Sequence, residues 1–130
     1  MGRSCKVLLD TNFLLGIARL KIDVFGEIKN KFSENGVGTE FFVLSGVMDE
    51  LKKLGANKTL EKEAKIAKKL LDRNGAKVLG GKGDVDALLA EKSPEYWVAT
   101  NDSALRKKIK SFGGRTIYIR KRSFVEIDGI

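Results

Sequence analysis

The residues of this chain that could do chemistry are acids set among apolar segments. Asp10 interrupts "KVLLDTNFLLGIARL" and is followed at once by Thr11 and Asn12. A bare carboxylate there is costly unless something pairs with it. Glu50 stands in "VMDELKKL", Asp84 and Asp86 in "GDVDALLA", and Asp102 in "VATNDSALRKKIK". There is no histidine and only one cysteine, Cys5. That excludes Ser-His-Asp and Cys-His nucleophile systems, His-ligated zinc and the commonest general base. Any metal site must then be built mainly from oxygen ligands, which favours Mg²⁺ or Mn²⁺.

The elements that position these acids alternate. "CKVLL" reads as a short buried strand, and residues 11–20 as an apolar helix. Ile22, Phe25, Ile28 and Phe32 give a second helical stripe. "EFFVL" predicts strand two, followed from Ser45 by a helix carrying Val47, Leu51 and Leu54. "TLEKEAKIAKKLLDRNG" predicts a helix lined by Leu60, Ala64, Ala67 and Leu71, closed by Gly75, with its lysines on a solvated face. "AKVLG", "YWVAT" and "RTIYIR" predict strands three to five, with helices over "GDVDALLAEKS" and "DSALRKKIKSFGG" between them. Such alternation implies right-handed crossovers and a three-layer α/β/α fold with a mostly parallel five-stranded sheet. With no linker or repeat, residues 1–130 read as a single domain.

Sites in open parallel sheets form beyond the carboxyl ends of the strands. Asp10, Asp84, Asp86 and Asp102 follow strand ends, and Glu50 lies about a turn and a half into the helix after strand two. Two explanations stand for these acids. Asp10, Asp84 and Asp102 suit helix N-caps, each worth ~1 kcal/mol. Asp86 suits a helix dipole, and Glu50 can pair with Lys53. As a set, they crowd one rim, and carboxylates so placed repel one another unless a cation neutralises them.

The net charge is +8, and it is uneven. Arg106, Lys107, Lys108, Lys110, Arg115, Arg120, Lys121 and Arg122 fall between Ser103 and Val125 without one acid, and account for the whole excess. This is either a solvated basic surface or the electrostatic footprint of a polyanion, nucleic acid first. Phe112, Tyr118 and Phe124 interleave with the charges, Tyr118 reading as strand core. No apolar run is long enough to span a membrane, and "MGRSCKVLLD" is charged too early for a signal peptide. Cys5, alone in an apolar strand, reads as a core residue and points to a reducing cytoplasm.

The series "LLDTNFLL", "VMDELKKL", "GDVDALLA" and "VATNDSALRKKIK" resembles the PIN-domain ribonucleases, in the family's order and across nearly the whole chain. The resemblance implies that Asp10, Glu50, Asp86 and Asp102 are the catalytic acids, and these four, with Asp84 as an additional acid, are the expected metal ligands. Thr11, Asn12, Thr100 and Asn101 would be supporting polar residues. It further implies Mg²⁺- or Mn²⁺-dependent cleavage of single-stranded or structured precursor RNA, leaving a 3′-hydroxyl and a 5′-phosphate, with the basic stretch 106–122 holding phosphates. "GRTIYIRKRSFVEID" is similar to the branch that processes ribosomal RNA precursors. The toxin branch of toxin–antitoxin pairs shares the acids. A homodimer, and a ribosome-assembly or antitoxin protein, are the partners these branches admit.

Other classes fit less well. A non-catalytic RNA- or protein-binding PIN-like domain would have no use for the retained acids. A phosphoacceptor receiver domain wants its Asp at the tip of strand three, where "KVLGGKGD" offers glycines. A Toprim-type domain expects Glu where strand one supplies Asp10. "LGGKGD" lacks the spacing and the Ser or Thr of a P-loop.

Overall fold

The structure is a computed structural model that describes residues 3–128. Strand β1 (Arg3–Leu9) leads into α1 (Thr11–Leu20) and α2 (Val24–Ser33), then β2 (Val37–Leu44), α3 (Ser45–Leu54) and α4 (Glu61–Arg73). Next come β3 (Lys77–Leu79), α5 (Val85–Lys92), β4 (Trp97–Ala99), α6 (Ser103–Ser111), β5 (Thr116–Arg120) and β6 (Phe124–Asp128). The sheet order is β3-β2-β1-β4-β5-β6, parallel throughout except for the antiparallel β5–β6 pair.

The alternating pattern is borne out, with one addition: the sheet has six strands rather than five. "FVEID" returns along β5 as a hairpin whose turn residues are Lys121 and Arg122, both at positive φ. A hairpin turn of this kind normally advertises itself through Asn or Gly. Here basic residues hide it. The helices follow from their apolar faces: Phe13, Leu14, Ile17 and Ala18 on α1, and Ala64, Ala67 and Leu71 on α4, are all buried. Gly75 ends α4's connection at φ +65, as a helix stop requires.

The core is densest at the carboxyl ends of the central strands, where Val7, Leu8 and Leu9 are wholly inaccessible and Phe41 to Leu44 nearly so. The amino ends are more open. Cys5, expected in the core, is only half-buried at its margin, because it borders a surface cavity shared with Ser4, Lys6, Glu95, Trp97 and Arg115. Tyr118 is likewise half-buried rather than core, since it points to the outer side of the hairpin. No described helix is long and apolar enough to cross a membrane.

Chain order across the sheet reverses at β1, which lies between β2 and β4. In a doubly wound sheet the connections at such a point leave in opposite directions and open a crevice beyond the strand ends. Asp10 ends β1 there, its N–H donating to the Ala99 carbonyl of β4 at 3.0 Å.

Candidate active site

The crevice is a cavity of about 400 Å³ walled by Asp10, Glu50, Asp86 and Asp102 together with Thr11 and Asn12. Four carboxylates from four different strand-to-helix connections thus meet. Their capping duties help to aim them. The Asp102 Oδ1 accepts from the N–H groups of Ala104 (3.0 Å) and Leu105 (3.2 Å) at the start of α6. The Asp84 Oδ2 accepts from Ala87 N–H at 3.0 Å and so starts α5. Asp84 does not line the cavity, but its charge acts on Asp86. Capping and convergence are therefore both true of Asp10 and Asp102, whereas Asp84, expected among the metal ligands, caps α5 and stays outside the cavity. No ion pair joins Glu50 to Lys53 among the described residues, and Glu50 faces the cavity instead.

Asp10 is the buried member, 5% exposed. Its Oδ1 accepts from Thr11 N–H and its Oδ2 from the Thr100 hydroxyl, both at 2.8 Å. The Thr100 oxygen in turn accepts from Asp102 N–H at 3.2 Å, so one buried hydroxyl ties the two acids together. Asn12 Oδ1 takes the Asn101 N–H at 3.2 Å, closing β1's end against β4's. Asn101 turns away, its Oδ1 accepting from Ile119 N–H of β5 at 2.9 Å.

Burial pushes the Asp10 carboxyl above its ordinary range. The hydrogen bonds from Thr100 and Thr11 oppose that rise, and Asp86 and Glu50 add to it. Asp86 is also pushed up, by partial desolvation first and then by Asp84, Asp102 and Glu50, with Lys108 pulling the other way. The cavity thus concentrates negative charge that the rest of a +8 chain does not neutralise.

The donor set suits a hard divalent cation: every polar group facing the cavity offers oxygen or amide, and the Thr11 Oγ1 is buried there without a partner. Among the described residues no three carboxylates stand close enough to hold an ion by side chains alone. The cavity has room for several waters at roughly 30 Å³ each, so ligation through water fits its dimensions. The sequence pattern did not mark the apolar wall of Leu15, Leu54, Leu60 and Val85. Its only signal was leucines and a valine near the acids, with Leu54 and Leu60 placed on apolar helix faces.

The basic stretch divides. Arg106 lies over the Tyr118 ring, its guanidinium carbon 3.9 Å from the centroid. Lys107 and Lys108 are exposed on α6, and Lys121 and Arg122 project from the hairpin turn. Arg120 pairs with Glu126 at 3.4 Å. Lys110 and Arg115 lie at the opposite edge of the sheet: Lys110 pairs with Asp128 at 2.9 Å, and Arg115 stacks 4.5 Å from the Trp97 ring. A helix runs antiparallel to its strands, which carries the end of α6 away from the acids.

Residues 7–122 match the family described as a PIN like domain. Ribonuclease VapC9 of Archaeoglobus fulgidus is 31% identical over 97% of this chain and 95% of its own length. Ribonuclease VapC4 of Methanocaldococcus jannaschii is 28% identical over 96% and 98%. The PIN domain endonuclease Utp24 has a similar fold, with TM-score 0.77, 23% identity, and coverage of 96% of this chain and 92% of that one.

Proposed function

Since the chain belongs to the PIN-like domain family, we propose that it is a divalent-metal-dependent ribonuclease that hydrolyses RNA phosphodiester bonds at the acidic cavity. The observation that carries this reading is the meeting of Asp10, Glu50, Asp86 and Asp102 at the β1–β4 switch point. The near-full-length likeness to two ribonucleases supports it.

Asp10, Glu50, Asp86 and Asp102 would hold Mg²⁺ or Mn²⁺, directly or through water. Bound there, the cation supplies a readily deprotonated water and offsets the charge that builds up at phosphorus. The chain's own residues do the rest. Thr100 and Thr11 hold the Asp10 carboxylate in one orientation. The Thr100 link to Asp102 N–H keeps the facing acids in register. Leu15, Leu54, Leu60 and Val85 supply the apolar part of the cavity wall. Arg106, Lys107 and Lys108 bind phosphates beside the cavity, so RNA affinity should fall as salt rises. Lys110 and Arg115, on the far edge, take no part in this reading. Asp84 acts mainly by starting α5 and by its charge on Asp86.

The role we infer is the processing of ribosomal RNA precursors in the cytoplasm, on the strength of the "GRTIYIRKRSFVEID" stretch, which forms the β5–β6 hairpin. A second reading, a toxin-type ribonuclease restrained by an antitoxin protein, is favoured by the likeness to the two VapC ribonucleases. The deciding experiment treats defined RNAs with the chain plus Mg²⁺, Mn²⁺ or chelator. Cutting in the first two only, with 5′-phosphate and 3′-hydroxyl ends, supports the chemistry. Cutting in chelator, or none under any condition, refutes it. Accumulation of uncut ribosomal precursors in cells lacking the protein separates processing from toxicity.

A further inference from the structure

We propose that the β5–β6 hairpin is a finger that grips the RNA strand outside the cavity, taking phosphates on Lys121 and Arg122 and one base on Phe124. The proposal rests on the ribonuclease reading and adds a binding surface to it.

Position comes first. β5 runs beyond its last pairing with β4, Ala99 with Ile117, toward the edge where the acids lie. Ile119 N–H then donates to Asn101 Oδ1 at 2.9 Å, anchoring the root of the hairpin to the loop that carries Asp102. β5 is two strands from β1, so the hairpin stands about 10 Å to the side of Asp10, and its tip, three residues past the level of Tyr118, projects about 10 Å farther along the strand direction. A strand of RNA leaving the cavity in that direction meets it.

The turn itself is an unusual choice. Ser123 N–H closes it on the Arg120 carbonyl at 3.1 Å, and the two residues between, Lys121 and Arg122, have φ of 52° and 58°. Side chains other than Gly and Asn are uncommon there, and hairpin turns of this kind prefer Asn-Gly. The chain accepts local strain and places two exposed cations at the tip of the hairpin. Both are exposed, and neither joins an ion pair among the described residues. Strain kept where a better turn is chemically simple points to a function for the side chains.

The outer face completes the surface. Ile117 and Val125 point into the core, so Tyr118, Arg120, Phe124 and Glu126 point out. Arg106 covers the Tyr118 ring, and Arg120 neutralises Glu126. Phe124 stays 38% exposed beside the tip. An open aromatic face next to unpaired cations is the combination that binds single strands, since every base can stack and every phosphate is anionic.

The test uses the full chain in chelator, to prevent cutting, with a labelled single-stranded RNA of about 12 nucleotides. Lys121→Asn with Arg122→Gly relieves the turn and removes both charges. It should raise Tm by ~2–4 °C, weaken RNA binding roughly tenfold and flatten the salt slope by about 1.4. Lys121→Gln with Arg122→Gln should weaken binding similarly without the gain in Tm. Phe124→Ala should weaken binding about tenfold at an unchanged salt slope. Affinity and slope equal to those of the native chain in either double variant, or no loss with Phe124→Ala, overturns the proposal. So does a relieved turn that gains no stability. Should the native chain neither bind this RNA nor cut it with Mg²⁺, the ribonuclease reading falls and the finger with it. If the native chain does both and the hairpin variants match it, the finger alone falls.

Discussion

Asp10 is 5% exposed, and its carboxyl is pushed up by burial first and then by Asp86 and Glu50. A raised value means that the folded state favours the protonated form. Its contribution to metal-free stability is therefore full below the ordinary 3.8 and is lost as pH rises through the raised value. Asp10→Asn should lower metal-dependent cleavage at least ~100-fold. It should also raise the metal-free Tm at neutral pH, because the amide oxygen still accepts from Thr11 N–H and one repelling charge is gone. That gain should shrink in thermal melts taken below about pH 4. Unchanged cleavage by pure variant protein would remove Asp10 from the mechanism. Thr100→Val keeps the shape of a fully buried residue but strands the Asp10 Oδ2 and the Asp102 N–H. A loss of about 1–3 kcal/mol in denaturant melts and a ten- to hundredfold slower cleavage are expected.

Helices set the distances between the acids. Gly46 of α3 sits so close to Val85, the first residue of α5, that an added Cβ would lie 2.9 Å from the Val85 Cγ2. Gly46→Ala should push apart the helices bearing Glu50 and Asp86. We expect about 1–2 kcal/mol of destabilisation and a cleavage loss of roughly ten- to a hundredfold, read from melts and single-turnover rates. Asp84→Ala removes the α5 cap, at ~1 kcal/mol, and should slow cleavage far less than Asp10→Asn does. A loss as large as that of Asp10→Asn would move Asp84 into the metal site. At this scale the sequence was readable wherever hydrophobic period and caps agreed, as in α1, α4 and α6. It was misleading where a turn was written in unusual residues, so Lys121 and Arg122 concealed β6. The close approach at Gly46 carries no local signature, since a helical glycine looks the same whatever packs against it.

Across the whole molecule, a basic body surrounds an acidic cavity. Lys107→Gln with Lys108→Gln should flatten the salt dependence of RNA binding by about 1.4 in log–log slope, while Lys110→Gln should leave it unaltered. Equal effects from all three would mean that α6 is contacted along its length, to the edge where Lys110 meets Asp128. Adjacent charges in sequence thus divide between opposite ends of the fold.

By itself the sequence determined the alternating architecture, because strand and helix periods are local properties of a few neighbouring residues. It also determined that catalysis here has no histidine, and that acids follow strand ends. Which acids share a cavity, which cations lie at its end of the sheet and which polar groups hold Asp10 were decided by tertiary structure alone. β1 lies between β2 and β4, so Asp10 meets Thr100, ninety residues away in the chain, at hydrogen-bonding range, and through the Thr100 hydroxyl it is linked to the Asp102 N–H. Strand order, not separation along the chain, sets those neighbours.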